Sequence, residues 1–600
     1  MLFAPRLIIF CQMNQYNERI EMLRSFMRSR QIDAVVIFGS DPHLSEYPSP
    51  RWQQVKFLTG FTGEAADVVI TLDYAGLWTD SRYFIQAESQ LDGTNVGLHK
   101  YGIQVGIKDY LVETLGEGAS VAIDSLCTSV SRYKELVSYF DVIRIPDILN
   151  VIWEDRPIAA QTSIFCFNAG ESREDKLAWL RMQMDAQASD WFFIAALDEI
   201  AWLLNIRASD IEYNPFSISY LLVGKENAFW FVLRDEEYDD ITSNSFSSLV
   251  SDGVKICPYD EVEVELASIE DGTIWIDEDA MNAELYASIK CGIHSAPSPI
   301  QARKAVKNAL EIENMKEIHL KDGVAVENFL YWLETSLENG IEISEWKAAK
   351  KLGEFRAQIE DYQGDSFETI SAMGENAALP HYQTPCFNAP IIKRDGLYLN
   401  DSGGQFLSGT TDITRTIPIG HCSPLERRDY TLVLKAHIDL ASAIFPEGTP
   451  GCRVDAAARL PLWRNRLDFG HGTGHGVGYF LGVHEGPAQI RQNLNGAPLM
   501  EGMIMSIEPG VYRQGQFGIR HENLYLIRSA GQSQFGRFLS FEPLTMCHFD
   551  TSLIELNLLD KWEIEWLNDY NRRVFENLGP FLGKEVFEWL EQKTMPLCLE

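Results

Sequence analysis

The sequence predicts two related α/β domains followed by an α+β domain, and three observations lead there. The first is an internal repeat. Phe57-Leu-Thr-Gly60, a strand pair at Val68 to Leu72 and Gly76 to Thr79, and Val121-Ala-Ile-Asp-Ser125 ahead of a helix containing Tyr133 form one copy. About 150 residues later the order recurs as Trp202-Leu-Leu-Asn205, strands at Tyr220 to Val223 and Ala228 to Val232, and Ile274-Trp-Ile-Asp-Glu278 ahead of a helix containing Tyr286. Helices at Met22 to Arg30 and Glu174 to Asp185 make both copies α/β. The second observation is the breaker Ser295-Ala-Pro-Ser-Pro299, which ends the second copy. The third is a change of pattern beyond it: helical spacing over 302–338, a long helix at Leu425 to Phe445, and strands with turn punctuation between and after them.

The predicted domains are 1–155, 156–300 and 301–545, followed by a mainly helical extension, 546–600, with apolar positions at Leu553 to Trp566 and Val586 to Leu590. A chain of 600 residues has length for this, at roughly 150 residues per domain. Hydrophobic residues make up 46% and charged residues 23%, which excludes wholesale disorder and a coiled-coil rod. The net charge of −35 repels nucleic-acid backbones and anionic lipid surfaces, so neither is an expected partner. Ten cysteines are scattered without paired spacing and suit a reducing cytoplasm. No apolar run approaches the ~18 residues that span a bilayer. The first twelve residues, ahead of an amphipathic helix at Tyr16 to Met27, read either as a disordered lead-in or as an upstream start-site artefact, and show no export signal.

Polar residues gather at strand ends in the third domain. In Leu397-Tyr-Leu-Asn-Asp401 the strand period of two sets Asp401 on the face of Leu397 and Leu399. Turn residues Ser402-Gly-Gly404 and Ser408-Gly409 lead to a second strand starting at Asp412, eleven residues on. Two inward carboxylates need a cation between them; two turn-flanking aspartates in water satisfy the same spacing. In Gly470-His-Gly-Thr-Gly-His-Gly476 the glycines exclude a zinc-protease helix and favour a tight loop or strand. His475 can serve there as a neutral imidazole ligand, His471 lies four residues before it, and His484 follows in Val483-His-Glu-Gly486; histidines satisfied in a glycine-rich core turn are the competing reading. Gly502-Met-Ile-Met-Ser-Ile507 delivers Glu508 to a Pro509-Gly510 turn, and Glu522 follows fourteen residues later in a strand continuing Leu524 to Ile527. Singly, Glu508 fits a turn and Glu522 fits an ion pair with Arg520. Together, Asp401, Asp412, His475, Glu508 and Glu522 make a dinuclear ligand set. Four carboxylates balance two divalent ions, and the oxygen-rich shell suits Mn²⁺ while one histidine also admits Zn²⁺, Co²⁺ or Fe²⁺.

These stretches, with Gly409-Thr-Thr-Asp-Ile-Thr-Arg-Thr416 and Gly518-Ile-Arg-His-Glu-Asn523, resemble the pita-bread metallopeptidases, specifically the long, three-domain Xaa-Pro aminopeptidases. Phe57-Leu-Thr-Gly-Phe-Thr-Gly63, Leu77-Trp-Thr-Asp-Ser-Arg-Tyr83 and Leu197-Asp-Glu-Ile-Ala-Trp-Leu-Leu-Asn-Ile-Arg207 resemble that family's first two domains, and Phe541-Glu-Pro-Leu-Thr545 its C-terminal extension. The resemblance implies two creatinase-like N-terminal domains before a pita-bread catalytic domain. It implies release of the N-terminal residue from peptides with proline at the second position, by attack of a metal-bridging hydroxide. Asp412 and Glu522 are then the bridging ligands, Asp401 completes one ion, and His475 with Glu508 completes the other. Glu508 relays a proton, His381 and His484 contact substrate and intermediate, His471 lines the proline pocket, and Arg520 supports the cluster. His381, in Leu379-Pro-His-Tyr382, also fits a surface histidine. The family is commonly dimeric. A prolidase-type dipeptidase shares the ligand set, and a protein-binding scaffold has no reason to keep it; the two long front domains favour the aminopeptidase.

Overall fold

Two six-stranded mixed sheets of one topology build residues 1–300, one of the two units of the chain; residues 301–600 form the other. The structure, a computed structural model, describes residues 4–234, 244–494 and 496–598. The first sheet comprises β1 (Ala34–Phe38), β2 (Ala66–Thr71), β3 (Ala75–Thr79), β4 (Gly97–Lys100), β5 (Ser120–Asp124) and β6 (Asp141–Ile145), in the order β4-β3-β2-β1-β5-β6. The second comprises β7 (Trp191–Ile194), β8 (Ser219–Gly224), β9 (Ala228–Val232), β10 (Val254–Pro258), β11 (Thr273–Ile276) and β12 (Gly292–Ser295), in the order β10-β9-β8-β7-β11-β12. In each, the first strand pairs antiparallel with the second and parallel with the fifth. The repeated order of sequence elements is thus a repeated topology.

Helix α1 (Ala4–Arg30) precedes the first sheet. It starts well before the expected Tyr16, so the lead-in reading fails from Ala4 onward; residues 1–3 lie outside the described residues. Pro5 occupies its first turn, where a missing N–H costs nothing. Ile20, Leu23 and Met27 bury against Val35, Val68 and Leu77 of the sheet. Helix α2 (Val130–Val137) carries Tyr133, α3 (Arg173–Ala186) precedes β7, and α4 (Ala283–Ser288) carries Tyr286. Each is capped by a side chain, Ser129, Ser172 or Asn282, that accepts a first-turn N–H.

In the second unit, β13 (Ile370–Met373), β14 (Gly396–Ser402) and β15 (Ile413–Ile419) form an antiparallel sheet with β14 central. A six-stranded antiparallel sheet comprises β16 (Ile444–Pro446), β17 (Gly474–Gly476), β18 (Glu485–Ile490), β19 (Ile504–Ile507), and, after a separate hairpin of β20 (Gly510–Arg513) and β21 (Phe517–Arg520), β22 (Asn523–Ser533) and β23 (Gly536–Pro543). Its order is β16-β23-β22-β19-β17-β18.

Capping boxes set the helix starts. In α5 (Ala309–Glu338) Asn308 accepts from the Glu311 N–H (3.1 Å) while Glu311 accepts from the Asn308 N–H (2.8 Å). The helical reading of 302–338 is therefore broken at Val306, which forms a β-bridge with Met503. Ser423 and Glu426 start α6 (Pro424–Ala441), which stops short of the expected Phe445 because Phe445 pairs with Leu539 in β16–β23. Asp560 and Glu563 start α7 (Lys561–Leu578), so the main tail helix begins after Leu553; α8 (Lys584–Lys593) contains Val586 to Leu590. Tyr430, Leu434 and Ile438 of α6 share one core with Met505, Ile507 and Tyr525 of the sheet and with Leu567 and Val574 of α7. No helix among the described residues is long and apolar enough to cross a membrane.

Where α6 meets α7, Asp439 faces Glu563. Burial first, then the Glu563 carboxylate, pushes the Asp439 carboxyl up to about 7, with Lys435 opposing. Its folded pKa therefore exceeds its unfolded one, and the folded state binds the extra proton. Stability from this group is full below the unfolded pKa, near 4, and falls as pH rises through 7. Asp439→Asn should flatten the fall in urea midpoint between pH 6 and pH 8; an identical slope in wild type and variant would refute the assignment.

Candidate metal centre

The register of three strands brings Asp401 and Asp412 together. Asp401, near the end of β14, pairs with Ile370 of β13 and Thr414 of β15, and Asp412 stands immediately before β15. From the other sheet, β19 ends at Ile507 and releases Glu508, while Ile507 pairs with Asn523, so that Glu522 lies at the same end. Glu522 occupies the link between β21 and β22 rather than the strand expected for it; its N–H bonds to the Thr414 carbonyl (3.1 Å) because β15 crosses there. His475 is the middle residue of β17.

His475 Nε2 is 3.5 Å from Asp412 Oδ2 and 3.5 Å from Glu508 Oε1. Its Nδ1 lies 2.9 Å from the Gly476 carbonyl, which can only accept, so the proton sits on Nδ1 and the Nε2 lone pair faces the carboxylates. Ligand atoms of Asp412, His475 and Glu522 all lie within 4.8 Å of one another. Asp401, Asp412 and Glu522 are buried, whereas 19% of the Glu508 side chain is exposed.

Arg520 ties the cluster together. One Nη bonds to Asp401, the other donates to the Tyr512 hydroxyl (2.7 Å), and Nε donates to Thr414 Oγ1 (3.2 Å). Thr414 Oγ1 in turn donates a hydrogen bond to Glu522 Oε2 (2.8 Å). The arginine thus pairs with Asp401 and reaches Glu522 through Thr414. Tyr512 in turn lies 2.8 Å from His471 Nε2, whose Nδ1 donates to the Gly472 carbonyl (2.7 Å). The His475 and His484 rings meet edge to face, 4.4 Å apart at 85°. His381 sits half-buried in the loop between β13 and β14; its neighbour Tyr382 donates to Glu345 (2.8 Å), which also accepts from the Met373 N–H and Asn376 and so gathers that loop.

The glycines of the His471–His475 segment are required by close backbone approach. A Cβ on Gly474 would stand 1.9 Å from the Ser506 carbonyl oxygen, and one on Gly476 2.3 Å from that of Glu485. Arg459, on the helix Gly451–Arg464, donates to the carbonyls of Phe469 (2.7 Å) and His471 (2.8 Å), and Asp455 accepts from Thr473 (2.5 Å). The Thr473 carbonyl then accepts the Glu508 N–H (2.8 Å). Sequence reasoning missed Thr414, Tyr512, Asp455 and Arg459. Arg459 and Asp455 carried a faint signal, a charged i, i+4 pair in a helix with buried apolar residues on either side.

The donors fit divalent cations. Oδ1 of Asp401 and Oδ1 of Asp412 are buried without a hydrogen-bond partner. Burial pushes the carboxyls of Asp401 and Glu508 up and that of Glu522 well up, and the charge of Asp412 adds to the rise at each. Arg520 supplies one positive charge against four carboxylates. Cations among them would relieve both the repulsion and the unpaired oxygens, and an imidazole with carboxylates is a first-row metal donor set.

Comparisons with known proteins agree with this geometry. Residues 313–529 match metallopeptidase family M24, 19–158 and 155–311 each match the creatinase/prolidase N-terminal domain, and 537–597 match the C-terminal region of peptidase M24. A probable Xaa-Pro aminopeptidase P of Laccaria bicolor is 38% identical, covering 97% of this chain and 93% of its own. Aminopeptidase P1 of Arabidopsis thaliana is 34% identical over 97% of this chain and 100% of its own. The crystal structure of X-prolyl aminopeptidase from Caenorhabditis elegans, described as a cytosolic enzyme with a di-nuclear active site, superposes with a TM-score of 0.92 at 34% identity, over 97% of this chain and all of that one. With front domains, catalytic domain and C-terminal region all matched, the chain belongs to the Xaa-Pro aminopeptidase P family of the M24 metallopeptidases.

Proposed function

We propose that the protein is a metal-dependent aminopeptidase that removes the N-terminal residue from peptides with proline at the second position. The observation that carries the reading is the convergence of Asp401, Asp412, His475, Glu508 and Glu522, with buried carboxylate oxygens left unpaired. These five residues would hold two divalent ions, and the oxygen-rich set favours Mn²⁺ over Zn²⁺, Co²⁺ or Fe²⁺. Bound there, the ions would activate a water and polarise the carbonyl before proline. Glu508, with its carboxyl raised by burial and one edge open, would hold a proton there and hand it to the prolyl nitrogen. His484, against His475, and His381 bind the substrate, and His471 with Tyr512 lines the prolyl pocket. Arg520 holds Asp401 and Thr414 in place.

The wider reading is a cytoplasmic homodimer, divided at 155/156, 300/301 and 545/546. It is supported by the family resemblance and, for the compartment, by the cytosolic relative of C. elegans.

Purified protein loaded with Mn²⁺ should release the N-terminal residue from an Xaa-Pro-Xaa tripeptide faster than it splits an Xaa-Pro dipeptide, and chelator should stop both. Dipeptide preference would favour a prolidase; no cleavage and no bound metal would favour a scaffold.

Glu522→Gln should bind less metal and lose measurable turnover, because an amide cannot replace a shared anionic ligand. His471→Ala, which removes a supporting group, should cost about 10- to 100-fold in kcat/KM with metal content unchanged. Wild-type rates from metal-replete Glu522→Gln protein would overturn the ligand assignment.

A further inference from the structure

Two lysines converge on the residue that follows His484. Lys304 Nζ is 2.7 Å from Glu485 Oε1, and Lys307 Nζ bonds to Glu485 Oε2; all three side chains are 1–2% exposed. Ligand chemistry does not require this carboxylate, since both its oxygens are already taken. Its place in the fold gives it another use.

Glu485 opens β18, the outermost strand of its sheet, and the ladder is irregular at that end. Gly474 pairs with Ile490 and His475 with Gln489, but Gly476 pairs with Glu485, so residues 486–488 bulge out of the ladder. Beyond Glu485 the chain turns away through His484, whose ring stands against His475. Main-chain pairing is regular at the Ile490 end of the strand, while beyond the bulge it holds Glu485 through the pair with Gly476, where a side-chain anchor adds to it. The lysines supply it from a rigid base. Val306, between them, bridges Met503, and the Lys307 N–H donates to the Gly502 carbonyl (2.9 Å) at the start of the segment that becomes β19 and ends at Glu508.

We propose that Lys304 and Lys307 are positioning residues of the catalytic centre: by clamping both oxygens of Glu485 they hold the His484 ring against His475. The proposal rests on the substrate-binding role given to His484 above. Breaking a buried ion cluster by one substitution leaves uncompensated charge and threatens the fold, whereas replacing the whole cluster with apolar residues of similar volume is often neutral or stabilising.

The decisive variant is therefore the triple Lys304→Met/Lys307→Met/Glu485→Met in the metal-loaded full chain. A clamp that serves only the fold predicts wild-type kcat once stability is restored. A positioning clamp predicts a wild-type melting temperature and metal content with kcat lowered about 10- to 100-fold and KM changed less. In a His484→Ala background the same triple change should cost less than about twofold further, since the residue it acts through is gone. Wild-type kcat in the triple variant, loss of metal from it, or fully multiplicative losses with His484→Ala would each overturn the clamp. If the wild-type protein cleaves no Xaa-Pro bond, the functional reading fails separately. The clamp is then judged by the crystal structure of the triple variant, where a His475–His484 ring separation unchanged from 4.4 Å overturns it and a displaced ring supports it.

Discussion

Four carboxylates crowd one buried pocket, and their mutual repulsion is the constraint that the second unit is built to withstand. Asp401 and Asp412 reach the pocket from one sheet, Glu508 and Glu522 from the end of another. Left to water they would separate; here the strand registers forbid it. Arg520 is the protein's own counterweight. Its three nitrogens engage Asp401, Tyr512 and Thr414, and through Thr414 the network extends to Glu522. Arginine suits this role better than lysine because a planar fork can serve three partners in fixed directions. One guanidinium cannot neutralise four acids, so the cluster is stable only with protons or with metal.

The same pocket demands backbone contact closer than side chains allow. Gly474 and Gly476 flank His475, and each lies against a carbonyl that a Cβ would strike. A segment so rich in glycine is loose in the unfolded chain and costs entropy to fix. The structure answers with anchors from outside: Arg459 and Asp455 on a helix, Ser506 Oγ accepting the His475 N–H (3.0 Å), and the lysine pair on Glu485. Catalytic geometry of this kind depends on such support, because a shift of about 1 Å in a reacting group can cost two orders of magnitude in rate.

Much of this was legible in the sequence because the informative patterns are local. The repeat of the first unit shows in matched apolar punctuation, and the sheets confirm it strand for strand. The acid and histidine types at strand ends are visible because period-two alternation places each with its apolar neighbours. Helix bounds carried a signal that went unread, in Asn308-x-x-Glu311, Ser423-x-x-Glu426 and Asp560-x-x-Glu563, and periodicity alone overran them at Val306, Phe445 and Leu553. Arg520 was named through the family resemblance, but the contacts that tie the supporting residues to the cluster were not legible. Arg520 lies 119 residues from Asp401, Thr414 lies 108 from Glu522, and Lys307 lies 178 from Glu485. No local rule links such positions; only the register of distant strands does. Tyr512 is closer to Arg520 in sequence, yet its role depends on His471 coming from a different strand pair.

The balance of charge also bears on whether such a chain is an enzyme or a scaffold. Keeping Asp401, Asp412, Glu508 and Glu522 buried together raises the carboxyls of three of them, so a chain without cations folds only by taking up protons or by accepting repulsion. Cations that bind the folded cluster more tightly than the unfolded chain convert that burden into folding free energy, and they release the protons as they bind. A binding surface gains nothing from this arrangement, and replacement of the acids by apolar residues would relieve it. A hydrolase gains a site where a water can be activated, beside a Glu508 carboxylate that is left partly exposed. The strain borne by the four acids is thus intelligible as the cost of chemistry, and the architecture around them, from Arg520 to the lysine pair, is what keeps that strain from being relaxed by movement.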